Sequence, residues 1–252
     1  MKSVFTTTGI AISNLTVTYD RHPAVHHLSA VLKTGSLTAL IGPNGAGKTT
    51  LLETIAGLRT PNEGCISLQG FCTDDIGYLP QQSQIDRSFP MTVRDLVASG
   101  FWQSLGPFAQ MTKAYQQTIT AALAQVGLDG FEKRMINSLS GGQFQRLLFA
   151  RLIAQDSPVL LLDEPFNAID AKTAAELLLL IDHWHDEKRT IVIVTHDVEL
   201  ARQRFPNSML LARELIASGH SREVLTTENL ERAKQMCESF DEHSALCLRG
   251  VA

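Results

Sequence analysis

A chain of 252 residues, 44% of them apolar, is long enough to bury a sizeable core and short enough to be one domain with at most a subdomain inserted. Its 22 Lys and Arg against 26 Asp and Glu give a formal net charge of -4, so the composition offers no basic footprint for nucleic acid. No apolar run approaches the ~20 residues that a membrane-spanning helix needs.

The start, MKSVFTTTGI, has no apolar signal core followed by a cleavage site, and Cys65, Cys72, Cys237 and Cys247 are spaced as neither a disulfide framework nor a zinc motif. Both features lead us to expect a reducing, cytoplasmic setting. From Ala11 to Leu40 the pattern predicts short strands, with turns at Asp20–Pro23 and Thr34–Gly35. The last of these strands runs into GPNGAGKTT, and Lys48 to Leu58 has helical character.

This stretch, Gly42-Pro43-Asn44-Gly45-Ala46-Gly47-Lys48-Thr49 followed by Thr50, fits G-x-x-x-x-G-K-[ST] in full and in the strand-loop-helix context the motif requires. The glycines let backbone N–H groups close around a β-phosphate at a helix N-terminus, where the helix dipole favours negative charge. Lys48 adds a point charge for the β- and γ-phosphates, and the Thr49 hydroxyl completes a Mg²⁺ shell. An ordinary glycine turn is the alternative, and it leaves the complete match without a reason.

GCISLQG and DIGYLPQ read as two more strands. From Met91 to Ile136 the pattern turns mainly helical, clearest in TVRDLVASGF and KAYQQTITAALAQVGL, as for a helical insertion in an α/β domain. LSGGQFQR, Leu139 to Arg146, then sets small and polar residues at the start of a helix over Gly142–Gln155. It is a second phosphate cradle in a chain that already has one.

The strand Val159–Leu162 ends in Asp163-Glu164. Asp163 stands where Mg²⁺ takes another oxygen contact, and Glu164 is free to polarise an attacking water. A capping pair at a strand-helix turn is the competing reading. After a helix over Ala171–His185, the strand Thr190–Thr195 leads to His196 at the ligand-binding edge of a parallel sheet, placed to hydrogen-bond a γ-phosphate. His22, His26, His27, His183 and His185 have no such placement and read as structural. Weaker strands around Met209–Leu211 and Glu214–Ala217 precede a helix from Thr227 to Met236 and a polar tail. Alternating strands and helices predict a parallel sheet covered by helices.

Taken together, GPNGAGKTT, YLPQQ, LSGGQFQR, LLLDEP, NAID and VTHD, in this order and spacing, resemble the ATP-binding cassette ATPases, the motor subunits of ABC transporters. The resemblance runs from about Ile10 to around Leu225. It implies a P-loop NTPase core with a parallel sheet, an N-terminal antiparallel β subdomain and a helical subdomain inserted at about 83–155. The ATPase domain would be 1–225, with 226–252 as a C-terminal helix and polar tail.

It also implies ATP and Mg²⁺, and a homodimer paired head to tail. Ser140, Gly141, Gly142 and Gln143 of one subunit would then cap the γ-phosphate held by Lys48 of the other, which explains the second cradle. Tyr19 falls where the family places an aromatic that stacks on adenine, the alternative being a strand aromatic in the core. Gln81 matches the glutamine that contacts Mg²⁺ or the attacking water at the hinge to the helical subdomain, with Gln82 beside it. Asp170 ends the loop that crosses the dimer interface, where NAID replaces the commoner SALD at Asn167. Mg²⁺ would be held by Thr49, Gln81 and Asp163, with Glu164, His196 and Gln81 in catalysis.

A chain without a membrane span implies separate permease subunits. The stretch Asp86 to Trp102 falls in the groove that receives them, with Phe101 and Trp102 either exposed for that contact or packed in the helical core. This stretch and RHPAVHHLS most resemble the ATPases of bacterial zinc and manganese importers, which implies an extracytoplasmic metal-binding protein and a place on the cytoplasmic face of the membrane. The alternatives are an importer of iron chelates or another cargo, and a cassette outside transport. A P-loop kinase would have no use for LSGGQ. Cys237, Asp241, His243 and Cys247 do not match a zinc motif and read as part of a solvated helix and tail.

Overall fold

A computed structural model describes residues 9–19, 22–102 and 112–242. These fall into two compact units, one of residues up to Thr73 and from Lys188 on, the other Asp74–Glu187. The first unit begins with β1 (Gly9–Tyr19), β2 (His22–Lys33), β3 (Leu37–Ile41), α1 (Lys48–Ile55) and β4 (Glu63–Gln69). The second holds β5 (Ile76–Leu79), α2 (Val93–Ala98), α3 (Lys113–Gln125), α4 (Gly141–Gln155), β6 (Val159–Asp163) and α5 (Ala171–Asp186). The chain returns to the first unit with β7 (Thr190–Val194), α6 (Val198–Arg204), β8 (Asn207–Ala212), β9 (Glu214–His220), α7 (Ser221–Val224) and α8 (Thr227–Glu242).

In the first unit β1 pairs antiparallel with β2 on one side and β4 on the other. Its buried residues change parity along the strand, Ile10 and Ile12 and then Leu15 and Val17. A shift of one residue turns every later side chain to the opposite face, so a bulge has to intervene. The register does slip between Ile12 and Leu15, where Asn14 takes φ 48, a conformation that Asn tolerates better than most residues. Of the expected turns, Asp20 and Arg21 lie outside the described residues, and Thr34–Gly35 forms with Gly35 at φ 72.

The parallel sheet of this unit centres on β3, which lies between β7 and β8 and is parallel to both. All five residues of β3 and all five of β7 are buried, the near-continuous apolar run of strands covered on both faces. β9 closes the edge antiparallel to β8. The C-terminal helix α8 extends past Met236 and buries Ala233 and Cys237, one turn apart, so it is not the wholly solvated helix the sequence led us to expect. His243, Cys247 and the Asp241 side chain lie outside the description.

In the second unit β5 and β6 pair in parallel, and α4 forms the centre of the helical packing. α4 buries Phe144, Leu147, Leu148, Phe149 and Leu152, with Phe149 stacked on Trp184 of α5 at 5.8 Å between ring centroids. α3 buries Ile119, Ala122 and Leu123, and the buried Val126 just past its end completes the i, i+3, i+4, i+7 stripe of an amphipathic helix. Arg151 of α4 donates to the Tyr78 carbonyl and Gln155 to that of Ile76 at 3.1 Å, tying α4 to β5. Burial holds the Arg151 guanidinium pKa below its ordinary value. The expected α/β class, with a parallel sheet and an antiparallel one, is therefore what the chain adopts.

Candidate active site

The phosphate loop begins where β3 ends. Gly47 is the residue before α1 and takes φ 88 and ψ 12, a left-handed conformation that other residues adopt at a cost. A Cβ on Gly47 would lie 2.1 Å from the Ala24 carbonyl oxygen, and one on Gly42 would lie 2.1 Å from that of Leu211. Both glycines are thus required by close backbone approach. On the far side Gly45, at φ 76, has nothing within 4 Å of such an atom, and Asn44 and Gly45 are exposed. One side of the loop is pressed against the unit, while the other is open.

The tip of the β8–β9 hairpin pins that pressed side. The Arg213 N–H donates to the Ala46 carbonyl at 3.0 Å, and the Arg213 carbonyl accepts from the His26 N–H at 2.8 Å. Ala46 is fully buried, and Pro43 is half-buried. Lys48 folds back over the loop and donates from Nζ to the Gly42 and Pro43 carbonyls, both at 2.8 Å. No side chain caps α1, and no acidic residue sits in its first turn. The helix N-terminus therefore keeps its positive end and its N–H groups for an anion.

Three further candidates belong to this unit. Thr49 is half-buried, and Thr50 is buried. Tyr19 ends β1 with 43% of its surface exposed, so it is not a core aromatic. Its Oη lies 3.3 Å from Thr50 Oγ1. His196 is exposed two residues beyond β7. Because Leu40 of β3 pairs with Val194 of β7, the parallel register sets His196 level with Gly42, at the start of the phosphate loop.

The remaining candidates belong to the second unit. Asp163 ends β6 fully buried, where a carboxylate needs a cation or hydrogen bonds to offset its lost hydration. Glu164 follows at φ 50, a left-handed conformation uncommon for this residue type and of the kind that marks functional turns. Its Oε2 accepts from Asn167 Nδ2 at 3.1 Å. The capping-pair reading fails, because α5 is capped by Asp170, whose Oδ1 accepts the Thr173 N–H at 2.9 Å and whose Oδ2 accepts the Thr173 hydroxyl at 2.8 Å. Those two bonds, the backbone one first, hold the Asp170 carboxyl below the usual carboxylate range.

Ser140 caps α4 in a reciprocal box: its hydroxyl accepts the Gln143 N–H at 3.2 Å, and Gln143 Oε1 accepts the Ser140 N–H at 3.0 Å. The Ser140 hydroxyl keeps its own proton to donate. Gly141 and Gly142 open the helix, and a Cβ on Gly142 would lie 3.6 Å from Asp170 Oδ2, so the LSGGQ loop adjoins the α5 cap. Arg146 reinforces this by pairing with Glu176 and donating to Thr173 Oγ1 at 3.2 Å.

The two adjacent glutamines separate clearly. Gln82 Nε2 donates to the Gly141 carbonyl at 3.1 Å and to Gln145 Oε1 at 2.6 Å, whereas Gln81 Oε1 makes only a 3.5 Å contact with Ser83 Oγ. Gln82 is thereby committed to α4. Phe101 packs in the core against Tyr115, 4.8 Å between centroids, while Trp102 is 75% exposed. Of the aromatic pair, only Trp102 remains for an outside contact. Gln145 and Asn167 were missed by sequence reasoning: nothing in the spacing distinguishes a buried helical glutamine, and Asn167 registered only as a departure from a pattern.

No group of three or more His, Cys, Asp and Glu side chains among the described residues is placed to hold a metal ion. In the second unit the buried Asp163 carboxylate and the Gln81 amide oxygen, and in the first unit the half-buried Thr49 hydroxyl, are each hard oxygen donors of the type that suits Mg²⁺.

Residues 25–167 match the family model described as ABC transporter. The manganese transport system ATP-binding protein MntB of Listeria monocytogenes is 37% identical over 226 residues, 88% of this chain and 94% of that protein. MntB of Bacillus subtilis is 37% identical over 227 residues, 88% and 91% of the two chains. Among solved structures, a metal-chelate type ABC transporter in an inward-facing conformation superposes with a TM-score of 0.79 at 31% identity, over 90% of this chain and 89% of that one. A dimeric bacterial ABC transporter cassette gives 0.73 at 26% identity, over 84% and 99%.

Proposed function

The chain belongs to the ABC transporter family as an ATP-hydrolysing cassette, and on that premise we propose that it powers import of a divalent metal ion, manganese or zinc. One observation supports the cargo: relatives named for manganese transport match over nearly the whole of both chains. The substrate of the chemistry is ATP. The open side of the phosphate loop, the N-terminus of α1 and Lys48 bind its phosphates, and Tyr19 stacks on its adenine.

Thr49, Gln81 and Asp163 would hold Mg²⁺, which would supply positive charge to the phosphates. Glu164 accepts a proton from the attacking water, its carboxylate steadied by Asn167. His196 hydrogen-bonds the γ-phosphate and keeps that water in line, and Gln81 contacts the water. Ser140, Gly141, Gly142 and Gln143, with Asp170 beside them, serve the nucleotide of the partner subunit in a closed head-to-tail homodimer. Binding of ATP closes the dimer and loss of the γ-phosphate releases it.

No helix among the described residues is long and apolar enough to cross a membrane. In this reading the work is delivered to permease subunits at the cytoplasmic face of the membrane. Trp102 belongs to the surface that meets them. An extracytoplasmic metal-binding protein supplies the cargo. A chelated metal is the second reading, favoured by the 31% identity to the metal-chelate type transporter.

Glu164→Gln tests the engine. Removing the base while keeping the binding groups lowers ATP turnover by about 100-fold or more. ATP affinity stays, and an ATP-bound dimer accumulates on size exclusion. Normal turnover, or a chain that stays monomeric in ATP, contradicts the role of Glu164.

A further inference from the structure

We propose that Arg59 is a positioning residue of the nucleotide site, holding the Tyr19 ring by one face so that the purine stacks on the other. This rests on the reading of Tyr19 as the base-stacking residue. Arg59 lies in the loop between α1 and β4, forty residues from Tyr19 in sequence, yet its Cζ sits 4.5 Å from the Tyr19 ring centroid. A guanidinium at that distance is attracted by the electron-rich ring face, and its planar group can lie along it.

Glu53, on α1, fixes the guanidinium. Its Oε2 accepts from Arg59 Nε at 3.1 Å and from Nη2 at 2.9 Å. The cation is thereby aimed at the ring and partly neutralised, so it does not act as a further phosphate ligand. Thr50, also on α1, meets the far end of the same ring, with its Oγ1 3.3 Å from Tyr19 Oη. Tyr19 is thus held at its face and at its hydroxyl by side chains of α1 and the loop that follows it. The phosphate loop opens that same helix. One rigid element therefore sets both the phosphate cradle and the platform for the base, and their separation is fixed before ATP arrives.

The Arg59 and Glu53 side chains are 33% and 20% exposed, so solvent still reaches this half-buried ion pair and screens its contribution to stability. A purely structural role would treat all ligands of the site alike. A role through Tyr19 depends on the ligand having a base. The discriminating probe is inorganic tripolyphosphate, which carries the phosphates and no purine.

The experiment measures binding of ATP and of tripolyphosphate to the intact protein with Mg²⁺, for wild type, Arg59→Ala, Arg59→Gln and Tyr19→Ala, with urea midpoints alongside. Arg59→Ala and Arg59→Gln are expected to weaken ATP about five-fold and leave tripolyphosphate binding and the urea midpoint unchanged. The KM for ATP rises while kcat stays, and in a Tyr19→Ala background Arg59→Ala has no further effect. Equal weakening of both ligands, or unchanged ATP binding, overturns the inference. Tyr19→Ala separates the two ways to fail. If it weakens ATP while the Arg59 variants do not, only the inference falls; if it leaves ATP binding unchanged, the stacking role of Tyr19 falls with it.

Discussion

Gly47 and Gly45 both take left-handed backbone conformations in the phosphate loop, at φ 88 and φ 76, but only Gly47 is also hemmed in. Alanine at Gly45 pays only the backbone strain of about 1–2 kcal/mol. Alanine at Gly47 must also move the β2 backbone, because its Cβ would meet the Ala24 oxygen at 2.1 Å. Urea unfolding of the two variants is therefore expected to show a clearly larger loss for Gly47→Ala, with a loss of ATP binding besides. Equal midpoints would contradict the claim that close approach holds Gly47 in place. The loop was legible in the sequence because its residues are consecutive and its chemistry local. The contacts of Arg59 with Tyr19 and of Asn167 with Glu164 were not. The first joins residues far apart in the chain, and the second depends on how the strained turn at Glu164 aims two side chains.

At the scale of elements, periodicity found the strands and the longer helices but not the short α6 and α7, and its failures have local causes. Alternation along Ala11–Tyr19 hides the bulge at Asn14, since a parity change reads as noise until the pairing is known. TVRDLVASGF reads as one helix, yet α2 stops at Ala98 and a tighter turn covers Ser99–Phe101. There a Cβ on Gly100 would lie 2.7 Å from the Arg151 carbonyl oxygen, so the packing of α4 dictates a glycine that the amphipathic pattern merely tolerates. The start of α2 is set by Thr92, whose hydroxyl accepts the Asp95 N–H at 3.2 Å while Asp95 Oδ2 accepts the Thr92 N–H at 3.2 Å. Thr92→Ala is expected to lower unfolding free energy by about 1 kcal/mol, and Thr92→Ser to recover most of it. A shift in urea midpoint at constant slope reads this, and no shift would show that α2 does not depend on its cap.

For the whole molecule, the proposed function has the phosphate loop and the LSGGQ loop of one chain serve the nucleotides of different subunits. The α4 capping box supports that reading, since Ser140 keeps a proton to donate and Gly142 lies next to the Asp170 cap. The ATPase family was legible because the motifs that mark it are short and contiguous. The cargo was legible only by resemblance. Nothing in the ATP chemistry depends on which ion crosses the membrane, and the described residues gather no metal-binding cluster that would betray it.

If ATP hydrolysis by this chain drives metal uptake, accumulation of labelled manganese and zinc in cells depends on it. The cells would carry either the wild-type chain or Glu164→Gln together with the native permease. Uptake of one of these metals is expected to be lost in the Glu164→Gln cells while the protein level is maintained. Uptake of both metals at the wild-type rate would contradict it.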